Sequence, residues 1–400
     1  MTDSMLKLPS LKTAKWLNEP RLQQVMAVLN AAGEVRVAGG AVRNALMGIG
    51  IADVDLATTL LPQDVIQLAK GSGFAVHPTG LAHGTVTVVN RAAVFEVTTL
   101  RRDVETDGRR AVVSFTRSFA EDAARRDFTV NALYCSSGGE ITDYTNGYDD
   151  ILRKRVKFVG VPAQRITEDY LRILRFFRFH AAYAKGAPDK AGLAACKKLK
   201  AGLKQLSAER IRQELFKLLV APRAVETLKV MAKAGILKLI LSHTDEWRVI
   251  QRLPPDAGLR LLVLAKDPTM LREKLRLSND EAARLEALHA APALSPKLRE
   301  REQRALLYGL GPAVWQDAVL VAQARSKAKF TASAWGKMAK LPARWPIPKL
   351  PIAGRDLLAR GHQAGPQLGS LLQSAEDYWI ACDFKASADE LLAHIEGSNT

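Results

Sequence analysis

The chain has 400 residues, 48% of them apolar, which is enough for two to four packed domains. Lysine and arginine (58) outnumber aspartate and glutamate (41) for a net charge of +17, a surplus that suits a polyanionic partner, while an aromatic content of 6% argues against a base-stacking single-strand platform. Three distant cysteines (Cys135, Cys196, Cys382) without a Cys-x-x-Cys speak against a zinc ribbon or disulfide framework, and the absence of a long apolar run or an apolar signal core speaks against a membrane protein; a cytoplasmic location is expected.

Leu22, Val25, Met26 and Leu29 recur at helical spacing ahead of Val35. A short apolar run, Val35–Ala38, then meets Gly39 and Gly40, and a helical pattern follows to Met47. Glycines before a helix start let backbone N–H groups approach an anion, and Arg43 adds a bidentate donor for phosphate. Beyond Gly48 and Gly50 a second strand-like run carries Asp53 and Asp55, with Val54 and Leu56 expected on the opposite face. Two carboxylates held side by side repel unless a cation sits between them, and Mg²⁺ with open positions for substrate phosphates is the natural partner. Either half alone is more often a plain turn or a solvated strand end; together, in strand–turn–helix–strand order, they point to a nucleoside triphosphate presented to a metal.

This stretch resembles the first motif of the class II tRNA nucleotidyltransferase and bacterial poly(A) polymerase family, within the polymerase-β-like superfamily. Asn44 stands where the family usually carries Asp, which removes a charge and keeps a hydrogen-bond acceptor.

Pro62 and Asp64 open a helix that ends at Gly71-Ser72-Gly73, and Phe74–His77, Thr85–Val89 and Val94–Thr98 read as short strands of a small mixed sheet. Glu96 is open to three readings: an exposed strand glutamate, a base for the attacking hydroxyl, or a further metal ligand. Arg101 to Phe115 is charged and turn-rich at Asp107-Gly108, and is expected to be a mobile loop. The resemblance implies a loop here that serves addition of the terminal adenosine.

Arg125-Arg126-Asp127-Phe128-Thr129-Val130-Asn131-Ala132 is a long match to the family's second motif, which implies nucleotide contacts for Arg125, Arg126, Asp127 and Asn131. Asp143-x-x-x-Gly147-x-Asp149 resembles the third motif and reads as structural. Glu168 to Phe179 reads as one helix with Asp169 and Arg172 as neighbours on a face. Such a pair is usually a salt bridge worth about 0.2–0.5 kcal/mol. An acceptor beside a donor also mimics a Watson–Crick edge that suits cytosine and adenine and leaves polar groups unpaired against uracil and guanine. The pair matches the family's nucleotide-templating motif, and the resemblance places Arg175 and Arg178 near the nucleotide too. Ser207 to Leu215 looks like a fifth motif, with Ser207 as helix cap and Arg210 and Glu214 as an i,i+4 pair in a supporting role.

From Phe216 to about Ala339 the pattern is nearly all helical, broken at Pro222, Pro254-Pro255, Pro268 and Pro292. Basic residues scattered over it (among them Arg272, Arg299, Arg304, Arg325, Lys327 and Lys329) are individually solvated charges and as a set can follow an RNA backbone. Leu341 to Pro351 reads as a Pro-rich linker.

The expected architecture is α+β: a catalytic head with a small mixed sheet (1–140), then an all-α neck carrying the nucleotide-reading helix (141–220), a body (221–340) and a tRNA-binding tail (341–400). The resemblance implies addition of C, C and A to tRNA 3′ ends from CTP and ATP with Mg²⁺, Asp53 and Asp55 holding the metal and Gly39, Gly40, Arg43 and Arg126 gripping the triphosphate. Poly(A) addition, A-only addition and non-catalytic RNA binding are the alternatives.

Overall fold

The computed structural model describes residues 8–107, 110–326 and 332–397. They divide into two units, Met1–Ser242 and His243–Thr400. In the first unit the elements run α1 (Pro20–Asn30), β1 (Val35–Ala38), α2 (Gly40–Met47), β2 (Asp55–Thr58), α3 (Pro62–Gly71), β3 (Ala75–Gly80), β4 (Thr85–Asn90), β5 (Ala93–Thr99), β6 (Arg101–Asp107), β7 (Arg110–Phe115), α4 (Phe119–Ala124), β8 (Leu133–Cys135), β9 (Ile141–Asp143), α5 (Gly147–Leu152), α6 (Pro162–Glu168), α7 (Leu171–Tyr183), α8 (Lys190–Leu199), α9 (Ala208–Leu219) and α10 (Ala224–Lys233). Seven strands form one mixed sheet in the order β3-β4-β5-β2-β1-β8-β9, with β2 and β5 parallel and the other neighbours antiparallel. The α+β expectation therefore holds.

Strand alternation sets the core. Val35, Val37, Leu56, Val86, Val88, Phe95 and Val97 are buried, and α1 lays Leu22, Val25, Met26 and Leu29 inward. The expected face for Val54 and Leu56 is only partly realised: Leu56 is buried, whereas β2 begins at Asp55 and leaves Asp53 in the segment before it.

Two expectations are corrected. Arg101 to Phe115 is not a free loop but a two-stranded antiparallel ribbon, β6 against β7, with a register shift between Asp103 and Glu105. Val104, Val112 and Val113 among the charges favour extended backbone. Gly108, half of the anticipated turn, lies outside the described residues. Glu168 to Phe179 is not one helix: α6 ends at Glu168, Asp169 is extended (φ −158°, ψ 107°), and α7 starts at Leu171. The Asp169 carboxylate accepts from Leu171 N–H at 3.1 Å, the competition with helical backbone typical of aspartate at a helix start. Tyr170 fits the break because Gly202 makes room: a Cβ there would stand 2.0 Å from the ring.

Helix α7 buries Ile173, Leu174, Phe176, Phe177, Phe179 and His180. Burial, with Arg223 nearby, pushes the His180 imidazole down to about 4. An unfolded histidine binds its proton near 6.5, so stability is fully present above that pH and is lost as pH falls from 6.5 through 4. At pH 5 the loss from this group amounts to about 2 kcal/mol. Thermal melts at pH 7 and pH 5 check this: the drop in Tm is expected to be smaller in His180→Met than in the parent.

The second unit is helical. Its helix Glu300–Arg325 has apolar composition and spanning length, yet Gly311 (φ 72°) and Pro312 break it into two pieces. Neither piece reaches the roughly 20 residues a bilayer span needs. Ile352, Leu357, Ala375, Trp379, Leu391, Leu392 and Ile395 form a small core among the last three helices, Gly354–Ala359, Pro366–Ala381 and Ala388–Gly397. Several of the scattered basic residues have carboxylate partners: Arg304 lies 2.6 Å from Asp383, and Arg272, Arg299 and Arg325 pair with Glu286, Glu302 and Glu246. Lys327 and Lys329 lie outside the described residues.

Candidate active site

A cavity of about 450 Å³ in the first unit is lined by Ala38, Gly39, Gly40, Arg43, Asp55, Arg125, Arg126, Asp127, Asn131, Asp169, Leu171, Arg172, Arg175, Phe179 and Arg210. Its size is that of a small-molecule site. Six arginines against three aspartates give its lining an excess of positive charge. Most residues singled out in the sequence meet here; Asp53, Glu96 and Arg178 are not part of the lining.

The glycine turn comes first. Gly39 adopts φ 67° and ψ −111°, a conformation that L side chains avoid. A Cβ on it would stand 3.1 Å from Arg126 Nη1 and 3.3 Å from the Asn131 carbonyl oxygen. Its N–H is not free for an anion, because it donates to Leu133 O at 2.9 Å. The first N–H groups of α2, beginning with Gly40, have no partner inside the helix and point out of its N-terminus. Gly39→Ala is expected to cost about 1–3 kcal/mol in denaturant unfolding through backbone strain.

Arg43 is buried, and its guanidinium is fixed on three sides. It donates to Asn131 Oδ1, to Tyr183 OH at 2.9 Å, and to Asn44 Oδ1 from Nε (3.1 Å) and Nη2 (2.8 Å). Asn44 in turn donates to the Gly50 carbonyl at 3.2 Å, a bond that an aspartate could not make.

Asp55 pairs in register with Glu96 on the parallel strand β5, so the two side chains share a face where β2 begins. Loss of hydration on the walled side, then the Glu96 and Asp53 carboxylates, hold the Asp55 carboxyl above the ordinary range, against an opposing pull from Arg126. A divalent cation would relieve that repulsion. Carboxylate oxygens are the donors here, and oxygen donors suit a hard divalent ion; among the described residues no three His, Cys, Asp or Glu side chains form a ready ligand group.

Buried carboxylates hold the arginines. Asp127 accepts from Arg175 Nε (2.8 Å) and Nη2 (2.5 Å), from Asn131 Nδ2 (3.1 Å) and from Phe128 N–H (2.8 Å). Burial pushes its pKa up, but Arg175 and Asn131 outweigh that and leave it below the ordinary range. Asp122 grips both Arg125 and Arg126. Arg178 lies 2.6 Å from Glu214 and over the ring of Phe179, which lines the cavity.

Asp169 and Arg172 both reach the cavity, but not as a pair on one helix face. Arg172 pairs with Glu168 and donates to the carbonyls of Arg165 (2.8 Å) and Arg125 (3.3 Å). Asp169 pairs with Arg210 at 2.8 Å. Arg210 is thus part of the cavity wall rather than the expected partner of Glu214, and Ser207 takes the N-cap position of α9 without a side-chain capping bond. Asp143 accepts from the N–H groups of Thr145, Gly147 and Tyr148, and Asp149 pairs with Arg153, as structural residues do.

The sequence reading missed Asp122, Tyr183, Phe179, Arg210 and Glu214 as parts of this site. Asp122 had a signal, a carboxylate three and four residues ahead of an Arg-Arg pair; Phe179 and Tyr183 look like any core aromatics.

Comparison with known proteins bears on the same residues. Residues 35–157 match the family model of the Poly A polymerase head domain, and 187–248 match the probable RNA and SrmB-binding site of polymerase A. The chain is 33% identical over 379 residues to CCA tRNA nucleotidyltransferase 1, mitochondrial, of Danio rerio, covering 91% of this chain and 88% of that one. It is 30% identical over 388 residues to the CCA-adding enzyme of Latilactobacillus sakei, covering 93% and 96%. Among solved structures it is similar to the Bacillus stearothermophilus CCA-adding enzyme in complex with CTP, with a TM-score of 0.81, 26% identity and coverage of 95% and 98%.

Proposed function

The chain belongs to the tRNA nucleotidyltransferase and poly(A) polymerase family, and from that premise we propose that it adds C, C and A to tRNA 3′ ends from CTP and ATP, without a nucleic acid template and with release of pyrophosphate. What carries the reading is one cavity whose wall joins a glycine turn, five arginines and a rim carboxylate to an acceptor, Asp169, and a donor, Arg172.

In this reading the triphosphate lies along Gly40 and the N-terminus of α2, between Arg43, Arg125 and Arg126, with Arg175 closing the side fixed by Asp127. Asp53 and Asp55 would hold Mg²⁺, which would supply a lowered pKa for the tRNA 3′-hydroxyl and stabilisation of charge at the α-phosphate. Glu96, beside Asp55, adds negative charge to that face. Asp169 spends one lone pair on Leu171 N–H and one on Arg210, and a carboxylate has about four such sites. The remainder accept the exocyclic amine of cytosine or adenine, while Arg172 donates to the ring nitrogen. A uracil or guanine carbonyl facing Asp169 leaves two acceptors opposed and unpaired. The second unit supplies the basic surface for the tRNA backbone. The cytoplasm, where the three thiols stay reduced, is the proposed site of action.

Extension of tRNAs ending before, between and after the two cytidines, each with one nucleotide at a time, tests this. Addition of two cytidines and then one adenosine is expected. A run of adenosines marks a poly(A) enzyme, and failure on an end without cytidine marks an A-only enzyme; either result overturns the reading.

A further inference from the structure

Arg125 and Arg126 are consecutive at the C-terminal end of α4, where successive side chains diverge around the helix. Both nevertheless line the cavity. The cause is one carboxylate, fully buried on the same helix. Asp122 Oδ1 accepts from Arg125 Nε at 2.8 Å and Nη2 at 2.6 Å. Its Oδ2 accepts from Arg126 Nε at 3.1 Å and Nη2 at 2.9 Å, and from Tyr134 OH at 2.6 Å. Each guanidinium therefore docks by its Nε–Nη2 edge, and Nη1 of each stays outside the clamp. Arg126 Nη1 donates to the Asn131 carbonyl at 3.3 Å and lies against Gly39.

The clamp is tied to the sheet. Tyr134 is fully buried on β8 and pairs in register with Ala38, the residue before the glycine turn. Its hydroxyl accepts from Arg126 Nε at 3.1 Å while donating to Asp122, and its ring packs edge-on against Phe119 of α4. One carboxylate thus fixes two cations relative to the turn at the end of β1. Burial raises the cost of its charge, yet Arg126, Arg125 and the Tyr134 hydroxyl hold it below the ordinary carboxylate range. Two guanidiniums on one carboxylate leave a single net positive charge, held in place before any ligand arrives.

We propose that Asp122 is a positioning residue for the transfer reaction: it touches no substrate, and it sets the triphosphate grip of Arg125 and Arg126 regardless of which base the nucleotide carries. This rests on the reading of the cavity as a triphosphate site. Asp122→Asn keeps the shape and removes the charge. It raises KM for CTP and for ATP by the same factor, about tenfold to a hundredfold as expected for charge-assisted bonds, with a smaller effect on kcat. The preference for CTP over UTP stays as in the parent, because Asp169 and Arg172 are left in place.

The experiment measures steady-state KM and kcat for CTP and ATP on tRNA in four forms of the full chain: parent, Asp122→Asn, Arg125→Gln/Arg126→Gln, and the triple variant, with thermal melts alongside. The triple variant is expected to match the double, since Asp122 acts only through the arginines. A further loss in the triple variant overturns the proposal, as does a KM change confined to one nucleotide or a shift in CTP-over-UTP preference. If the double variant itself leaves KM unchanged, the triphosphate reading of the cavity falls and the inference with it; if the double raises KM and Asp122→Asn does not, only the inference falls. Should Asp122→Asn fail to fold, Tyr134→Phe keeps the ring and removes one donor to the same oxygen. A severalfold rise in KM shared by both nucleotides is expected there, and no change overturns the proposal.

Discussion

Asp55→Ala is expected to lower pyrophosphate release by about 10³-fold or more, because it removes a carboxylate from the proposed metal face and several kcal/mol of transition-state charge stabilisation go with it. The position of Asp55 makes it the most exacting test. It opens β2 at the rim of the cavity, stands in register with Glu96 and has Asp53 just upstream. Its carboxyl is held above the ordinary range by lost hydration and by those two neighbours. The sign of the stability effect follows. A folded-state pKa above the unfolded one means that ionisation costs more in the folded chain, so at neutral pH Asp55 works against the fold. Asp55→Asn is therefore expected to raise Tm at pH 7 while activity collapses, a trade between stability and activity. A variant that keeps activity within tenfold of the parent removes the metal assignment. A variant that loses both activity and Tm makes Asp55 a structural residue.

The second large effect is expected in selectivity. Arg172→Ala should reduce the preference for CTP over UTP, read as the ratio of kcat/KM values, by about 10–100-fold, the range of one well-placed pair of polar contacts to a base edge. Arg172 is held by Glu168 and by two backbone carbonyls, and Asp169 by Arg210 and Leu171 N–H, so each is oriented before a base arrives. Removing the guanidinium takes away the donor and leaves Glu168 paired with Arg165 alone. CTP and ATP efficiency should both fall, and UTP should rise relative to them. Competition assays with CTP and UTP on one tRNA read this directly. Unchanged selectivity with a general loss of rate assigns Arg172 to structure and places base reading elsewhere.

Several features were legible because they depend on chain-local chemistry. Helix α1 follows from Leu22, Val25, Met26 and Leu29, and strand β4 from its alternation. Gly39 announced a turn because its conformation excludes side chains, and that holds at φ 67°. The helix break at Asp169 was not legible, since a helical pattern continues beyond it and only the carboxylate bond to Leu171 N–H and the fit of Tyr170 on Gly202 decide it. The β6–β7 ribbon was hidden by its charge, which conceals strand propensity from a hydrophobic pattern.

By itself the sequence determined the kind of molecule: an α+β head followed by helices, a cationic chain, and a set of glycines, arginines and aspartates whose types dictate anion and cation chemistry. Which of those charges face one another was decided only by tertiary structure. Asp122 collects Arg125 and Arg126, Asp127 takes Arg175 from 48 positions away, and Arg210 crosses to Asp169 instead of Glu214. The physical reason is that an ion pair depends on distance and burial rather than on spacing along the chain, and a long side chain chooses among partners only after packing has excluded water from all but one.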